Sequence, residues 1–233
     1  MVDNKTIYEA HWHEWEAMKR HGPMSRHARR LVMRECCRFT FSSLLDVGCG
    51  PGVFLYDIHT RFPSILCTGI DVSESAVSIA AKRYPKVRFD VLDITEEIPT
   101  HSVDIVTMID VAEHLERDTD AFRNIRRICN RACIILTLEG RMREAEKDIG
   151  HVRNYGKKEL TGKLCRAGFR IDRFVRWGWP FYSPLYRNIS SKVKSHEKPL
   201  TLLNRCIGEI FYGVLFWNLP GHGDLVVAVA TPA

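Results

Sequence analysis

Leu44-Leu-Asp-Val-Gly-Cys-Gly-Pro-Gly52 decides how the rest of the chain is read. A short apolar run ends in a turn carrying three glycines, and a helical pattern opens at residue 53. Glycine lets a backbone turn tightly and lets a ligand come close to the chain, so strand, glycine turn and helix together mark a binding edge. The next apolar run ends in Gly69-Ile-Asp-Val-Ser73. A carboxylate at Asp71, beside the glycine turn, is placed to accept both hydroxyls of a ribose. The two features together predict a nucleoside-containing ligand.

On either side of this segment, apolar runs alternate with helical patterns. Strands are expected at 43–47, 65–70, 87–92, 103–109, 132–138, 169–176 and 224–231, and helices at 5–20, 24–39, 53–61, 74–83, 118–129 and 157–167. Such alternation requires crossover connections and a largely parallel sheet. One connection breaks the rhythm, 177–223, which opens on Trp177-Gly-Trp-Pro-Phe-Tyr-Ser-Pro-Leu-Tyr186, passes Arg187, Lys192, Lys194 and Lys198, and closes on an apolar helical pattern at 200–218. A connection that long inside a compact domain is usually functional.

The glycines are spaced Gly48-x-Gly50-x-Gly52, one residue short of the dinucleotide pattern, and Asp46 precedes them. A carboxylate repels a pyrophosphate and attracts the ammonium and sulfonium of S-adenosylmethionine, so charge favours the sulfonium ligand. Asp93, in Val91-Leu-Asp-Ile-Thr95, closes the third strand and is placed to accept from an adenine amino group; the fourth strand runs into Met108-Ile-Asp-Val-Ala-Glu-His-Leu115. Taken in order, Asp46 to Gly52, Ile70-Asp71, Asp93 and Glu113-His-Leu115 resemble the class I S-adenosylmethionine-dependent methyltransferases, in the small-molecule branch that includes the ubiquinone-biosynthesis O-methyltransferases. The resemblance covers about residues 40–175. It implies a Rossmann-like α/β fold, with a seven-stranded mostly parallel sheet in the order 3-2-1-4-5-7-6 and helices on both faces. The cofactor, released as S-adenosylhomocysteine, would lie across strands 1 and 4. It also implies that Gly48, Cys49, Gly50 and Gly52 line the methionine end, that Asp71 and Val72 meet the ribose, that Asp93 and Ile94 frame the adenine, and that the Ile109 backbone approaches the ligand. Residues 1–39 are expected to form a helical lid on a methyltransferase domain of residues 40–233, with 177–223 as a substrate-side insertion.

Each site residue also has a plainer reading. Cys49 need only be small, since methyl transfer uses no thiol nucleophile. His114 and His151 are the candidate bases, and a structural hydrogen bond is the default for either. Arg26 or Arg29 is suited to fork onto the methionine carboxylate, although Arg29 also fits a solvated helix face. Tyr8-Glu-Ala-His-Trp-His-Glu-Trp15 is expected to fold over the cofactor or to pack on the sheet. Trp179, Phe181 and Tyr182 are expected to wall an acceptor pocket, with core packing or a dimer contact as the alternative. The 207–218 pattern is apolar nearly all round, as in helices that are buried or that dock on a second chain or a membrane surface.

The 233 residues suffice for one domain, and 34 Lys+Arg against 28 Asp+Glu leave +6, too small an excess to argue for nucleic acid. The eight cysteines include no C-x-x-C pair, and the N-terminus lacks an apolar signal core, so a cytoplasmic protein with reduced thiols is expected. No metal cluster is evident. The expected reaction is metal-free methyl transfer to a small, partly hydrophobic or aromatic acceptor, with O-methylation favoured. Nucleic-acid methylation is the alternative enzyme reading, opposed by the lack of an Asn/Asp-Pro-Pro-aromatic motif after strand four. A catalytically silent partner subunit is the alternative outside enzymes.

Overall fold

The computed structural model describes residues 16–190 and 202–233. Eight strands form one sheet: β1 Ser43–Val47, β2 Leu66–Asp71, β3 Arg88–Val91, β4 Val103–Ile109, β5 Cys129–Leu138, β6 Phe169–Trp179, β7 Leu219–Pro220 and β8 Leu225–Pro232. Their order is β3-β2-β1-β4-β5-β8-β6-β7. The expected seven-strand order is therefore present, and the two-residue β7 is added at the β6 edge. β1 to β5 pair in parallel, and β8 runs antiparallel to both β5 and β6. β6 therefore points the same way as β5, and its carboxyl end reaches the edge where β1 and β4 end.

Alternation along the strands supplies two cores. On β5, Ala132, Ile134 and Leu136 face one layer, while Cys133 and Ile135 face the other. Both sets are buried, as a sheet covered on both sides requires. The second layer holds Phe122 and Ile125 of the helix Asp118–Ile128 and Leu160 and Leu164 of Lys157–Arg166. The first layer holds Phe54, Leu55 and Ile58 of the helix Val53–Arg61, together with Ala28, Leu31, Val32 and Cys36 of Pro23–Cys36. Residues 23–36 thus belong to the sheet's own core and are no separate lid. The aromatic segment 8–15 lies outside the described residues.

β5 begins three residues before the expected 132, because Cys129 still pairs with Val103 across a bulge. Asn130 and Arg131 are exposed and interrupt the apolar run. β6 absorbs the first residues of the 177–223 connection, a helical turn at Tyr182–Tyr186 follows, and the helix Leu202–Leu215 returns the chain. Lys192, Lys194 and Lys198 lie outside the described residues. One face of Leu202–Leu215 docks on Pro23–Cys36. His27 meets the Tyr212 carbonyl at 2.9 Å, and its ring lies 4.5 Å from Tyr212 and 4.8 Å from Phe216. The other face leaves Ile210 and Val214 exposed, as is the adjoining Trp217. No described helix is long and apolar enough to cross a membrane.

Candidate active site

The glycine turn is held by backbone geometry. Gly48, Gly50 and Gly52 all have positive φ, at 67°, 51° and 75°. The Gly48 and Cys49 N–H groups donate to the Ile70 carbonyl at 2.8 and 3.0 Å, which pins the turn to the end of β2. A Cβ at Gly48 would stand 2.4 Å from Cγ2 of Val111, so this position needs glycine for space as well as for φ. Asp71 closes the turn from the other side, accepting from the Gly50 N–H at 2.8 Å and the Ser73 N–H at 3.0 Å. Its carboxylate therefore shapes the loop that borders the cleft it faces.

Above this turn lies a cavity of about 250 Å³ at the carboxyl ends of β1, β2 and β4. Asp46, Gly48, Cys49, Gly50, Asp71 and Val72 line one end. Asp93, Ile94 and Ile109 line it further along. Gly52 does not reach it. A Cβ there would meet Phe89 and Ala80, so this glycine serves the packing of its helix against the sheet. Asp93 Oδ1 accepts from the Thr95 N–H and hydroxyl, both at 2.8 Å, so the residue is a turn former that also borders the cavity.

Asp46 is buried, and its Oδ1 accepts from the Thr107 hydroxyl at 2.6 Å. Burial pushes its carboxyl up to about 7; the Thr107 hydrogen bond opposes that shift, and the Asp71 charge adds to it. Such a group is ready to ionise when a cation arrives beside it. Burial also holds the Cys49 thiol well above its ordinary range, which leaves it inert.

The arginines depart from expectation. Arg26 faces away from the cavity: its Nη1 donates to Glu209 at 2.6 Å and its guanidinium lies 3.6 Å over the Tyr212 ring. Arg29 borders the cavity but spends its Nε on Asp57 at 2.7 Å, and the other cation at the cavity wall is Lys19, paired with Asp110 at 3.8 Å. Asp110 has φ 54°, the one positive value among the described non-glycine residues. Backbone strain of this kind clusters at functional sites.

A second cavity of about 180 Å³ adjoins the first, sharing Lys19, Ser25, Ala28, Asp110, His114 and Ile149 with it. Glu113, His151 and Tyr182 line it, with Leu138 and Leu225 as apolar wall. Tyr182 is thus brought to the site. Trp179 is not: it is 49% exposed and pairs with Leu219 at the sheet edge. Phe181 packs on the core and lines neither cavity. Trp177 supports Tyr182 from beneath, ring to ring at 5.9 Å.

The two histidines are joined by a backbone stitch. Val152 N–H donates to the Glu113 carbonyl at 2.9 Å, and Arg153 donates to the Leu115 and Glu116 carbonyls. This clamps the 150–153 loop onto the turn after β4. The His114 and His151 rings consequently lie 4.5 Å apart, edge to face. Burial and the mutual repulsion of the two rings push His114 down to about 3, and burial also lowers His151, so both imidazoles are neutral. Glu113 is fully buried, and Thr137 donates to its Oε2 at 2.8 Å. Sequence reasoning used Glu113 only as part of a motif and missed Lys19 and Asp110, because their roles depend on two loops meeting in space.

Residues 44–132 match a family model described as a methyltransferase domain. Over those residues the chain is similar to that domain. Two magnesium protoporphyrin IX methyltransferase structures from Synechocystis PCC 6803, titled with bound SAM and with bound SAH, share the methyltransferase fold. The SAH-bound one has a TM-score of 0.67 at 14% identity, over 99% of this chain and 100% of that one. A structure titled the [4+2]-cyclase SpnF matches at TM-score 0.67 and 18% identity, over 89% of this chain and 81% of that one. By sequence, acetylserotonin O-methyltransferase 3 of Oryza sativa subsp. japonica is 31% identical over 149 residues, 63% of this chain and 38% of that protein. Trans-aconitate 2-methyltransferase of Enterobacter sp. (strain 638) is 37% identical over 65 residues, 28% of this chain and 26% of that protein. These matches span less than two-fifths of the relatives' length. Methyltransferase-domain similarity is therefore centred on the glycine turn and β1 to β5, while the 177–223 connection lies beyond the family match.

Proposed function

We propose that the chain is an S-adenosylmethionine-dependent methyltransferase acting on a small, partly hydrophobic or aromatic acceptor, with O-methylation favoured. The observation that carries the reading is the pair of joined cavities. One has the glycine turn and the acids Asp46, Asp71 and Asp93; the other has Leu138 and Leu225 as apolar wall beside the polar groups Glu113, His114 and His151. An acid-lined cleft suits the cationic methionine end of the cofactor and disfavours a pyrophosphate. The named relatives with small-molecule titles, acetylserotonin and trans-aconitate methyltransferases, support a small acceptor. Fold alone decides less, since a cyclase shares it.

In this reading the acceptor's oxygen uses a lone pair to form a bond to the methyl carbon. The carbon–sulfur bond breaks with its electrons going to sulfur, which leaves a neutral thioether, and the acceptor's proton departs to solvent. The protein's work is alignment of the two reactants and exclusion of water. Tyr182 and Leu225 hold the acceptor, and His114 and His151 engage its reacting atom. The test is incubation with S-adenosylmethionine labelled in the methyl group and a cell extract, divided into metabolite, lipid, protein and nucleic-acid fractions. Label in small molecules is expected; label confined to nucleic acid or protein overturns the reading. The His151→Ala variant should lose about 10²–10⁴ in turnover with cofactor affinity kept.

A further inference from the structure

The helix Leu202–Leu215 carries two apolar stripes, and the fold uses one of them. On that side Phe211 meets Tyr186, Tyr212 meets His27, and Leu215 is buried in the core. On another side, Ile207, Ile210 and Val214, with Trp217 just past the helix end, recur at intervals of three and four residues and so form a second stripe. All four are exposed, Ile210 at 66% and Trp217 at 76%. The exposed apolar surface continues along the chain through Leu219 and its strand partner Trp179. A run of apolar side chains left in water marks a surface that something else covers.

A basic rim lies beside this stripe. Arg26, Arg30 and Arg34 are spaced by four residues on the helix Pro23–Cys36, and Arg38 follows at the same interval. Arg26 lies over the Tyr212 ring and pairs with Glu209, and Arg30 lies 4.6 Å over the Phe216 ring. The two helices therefore run in the same direction, which places Arg34 one turn further on, toward Trp217. Arg34, Arg38 and Arg173 of β6 gather on the buried Glu35 carboxylate at 3.2, 3.7 and 3.1 Å, and their side chains stay 41–51% exposed. Five arginines against the two carboxylates they pair with, Glu35 and Glu209, leave the rim positive.

An apolar stripe flanked by arginines complements a surface with an apolar interior and an anionic face. A second copy complements it less well, because a two-fold dimer would bring two positive rims into one interface. We infer that the outer face of Leu202–Leu215, with Trp217, docks this protein on the surface of an anionic lipid bilayer. The apolar stripe enters the boundary between headgroups and acyl chains, where Trp is favoured, and the arginines meet the lipid phosphates. The helix lies on the bilayer, since its 14 residues are too few to cross it. Pro23–Cys36 ties this surface to the site: Met24, Ser25 and Ala28 of the same helix line the second cavity.

The test is sedimentation of the full chain with vesicles of phosphatidylcholine alone and of phosphatidylcholine mixed with phosphatidylglycerol, at low and high salt. Oligomeric state is read by analytical ultracentrifugation without lipid. Binding to the mixed vesicles should exceed binding to the neutral ones by about tenfold or more, and should weaken as salt rises. Ile210→Asp and Trp217→Ser should each weaken binding by about tenfold, as expected when one large apolar side chain no longer leaves water. Arg34→Gln combined with Arg38→Gln should remove most of the preference for the anionic vesicles, with Arg173 left to pair with Glu35. Each variant must unfold at the parent's temperature, and either apolar variant suffices for the comparison. No binding to either vesicle, equal binding to both, or parental binding by the folded Ile210→Asp and Trp217→Ser variants overturns the inference. A parent dimer that Ile210→Asp converts to monomer, with no vesicle binding, overturns it in favour of a second copy on this face.

Discussion

Asp46 should make cofactor binding release a proton. Its carboxyl, raised to about 7 by burial and by the Asp71 charge, is mostly protonated in the free protein at pH 6 and mostly ionised at pH 8. The cofactor's sulfonium and ammonium favour the ionised form, so in the complex the carboxyl titrates below this window. From a free value near 7, linkage gives affinity about tenfold tighter at pH 8 than at pH 6, equivalent to about 1.4 kcal/mol. Calorimetry in buffers of different ionisation enthalpy counts the protons: about one should leave per cofactor bound at pH 6 and almost none at pH 8. Asp46→Asn keeps an acceptor for the Thr107 hydroxyl and should bind more weakly, with the pH dependence gone. A flat affinity in the parent, or the same slope surviving in Asp46→Asn, would refute the placement of Asp46 beside a cation. The sign for stability is opposite to that of a salt-bridged acid. Because the folded value lies above the unfolded 3.8, the carboxylate disfavours the fold increasingly from about pH 4 to about 7. Asp46→Asn should therefore raise the melting temperature of the ligand-free protein at pH 8 more than at pH 5.

Asp71→Ala removes the acceptor for the Gly50 and Ser73 N–H groups and should weaken S-adenosylhomocysteine binding by about 1–3 kcal/mol, read by calorimetry. Gly48→Ala places a Cβ against Val111 and forces a positive φ on alanine, so cofactor binding should fall sharply; adding Val111→Ala should recover part of it by removing the clash. Tyr182→Ala should raise the acceptor's Michaelis constant in steady-state assays and leave cofactor affinity near the parent's. Arg187 is buried, with Glu146 at 2.7 Å and Asp224 at 2.6 Å, and Arg187→Ala should cost about 3–5 kcal/mol in denaturant unfolding because it removes the buried cation that pairs with both carboxylates.

Much of the architecture was legible in the chain because it rests on local chemistry. Alternating apolar runs and helical patterns located β1 to β5 and the helices between them, and the glycine turn with Asp71 and Asp93 marked the edge of the sheet that borders the cavity. These signals are short-range: a turn that needs glycine needs it whatever surrounds it. What tertiary structure decided are the matters settled by distant segments meeting. Gly52 and Arg26 carry the residue types of a ligand site, yet one packs a helix and the other pairs with Glu209, because neighbours 37 and 183 residues away claim them first. Of the three aromatics named for the acceptor, only Tyr182 lines the second cavity; Phe181 packs on the core, and antiparallel β7 pairs with Trp179 and holds it at the solvent edge. The grouping of Glu113, His114 and His151 arises from a backbone hydrogen bond between two loops, and no pattern in the sequence encodes a contact of that kind.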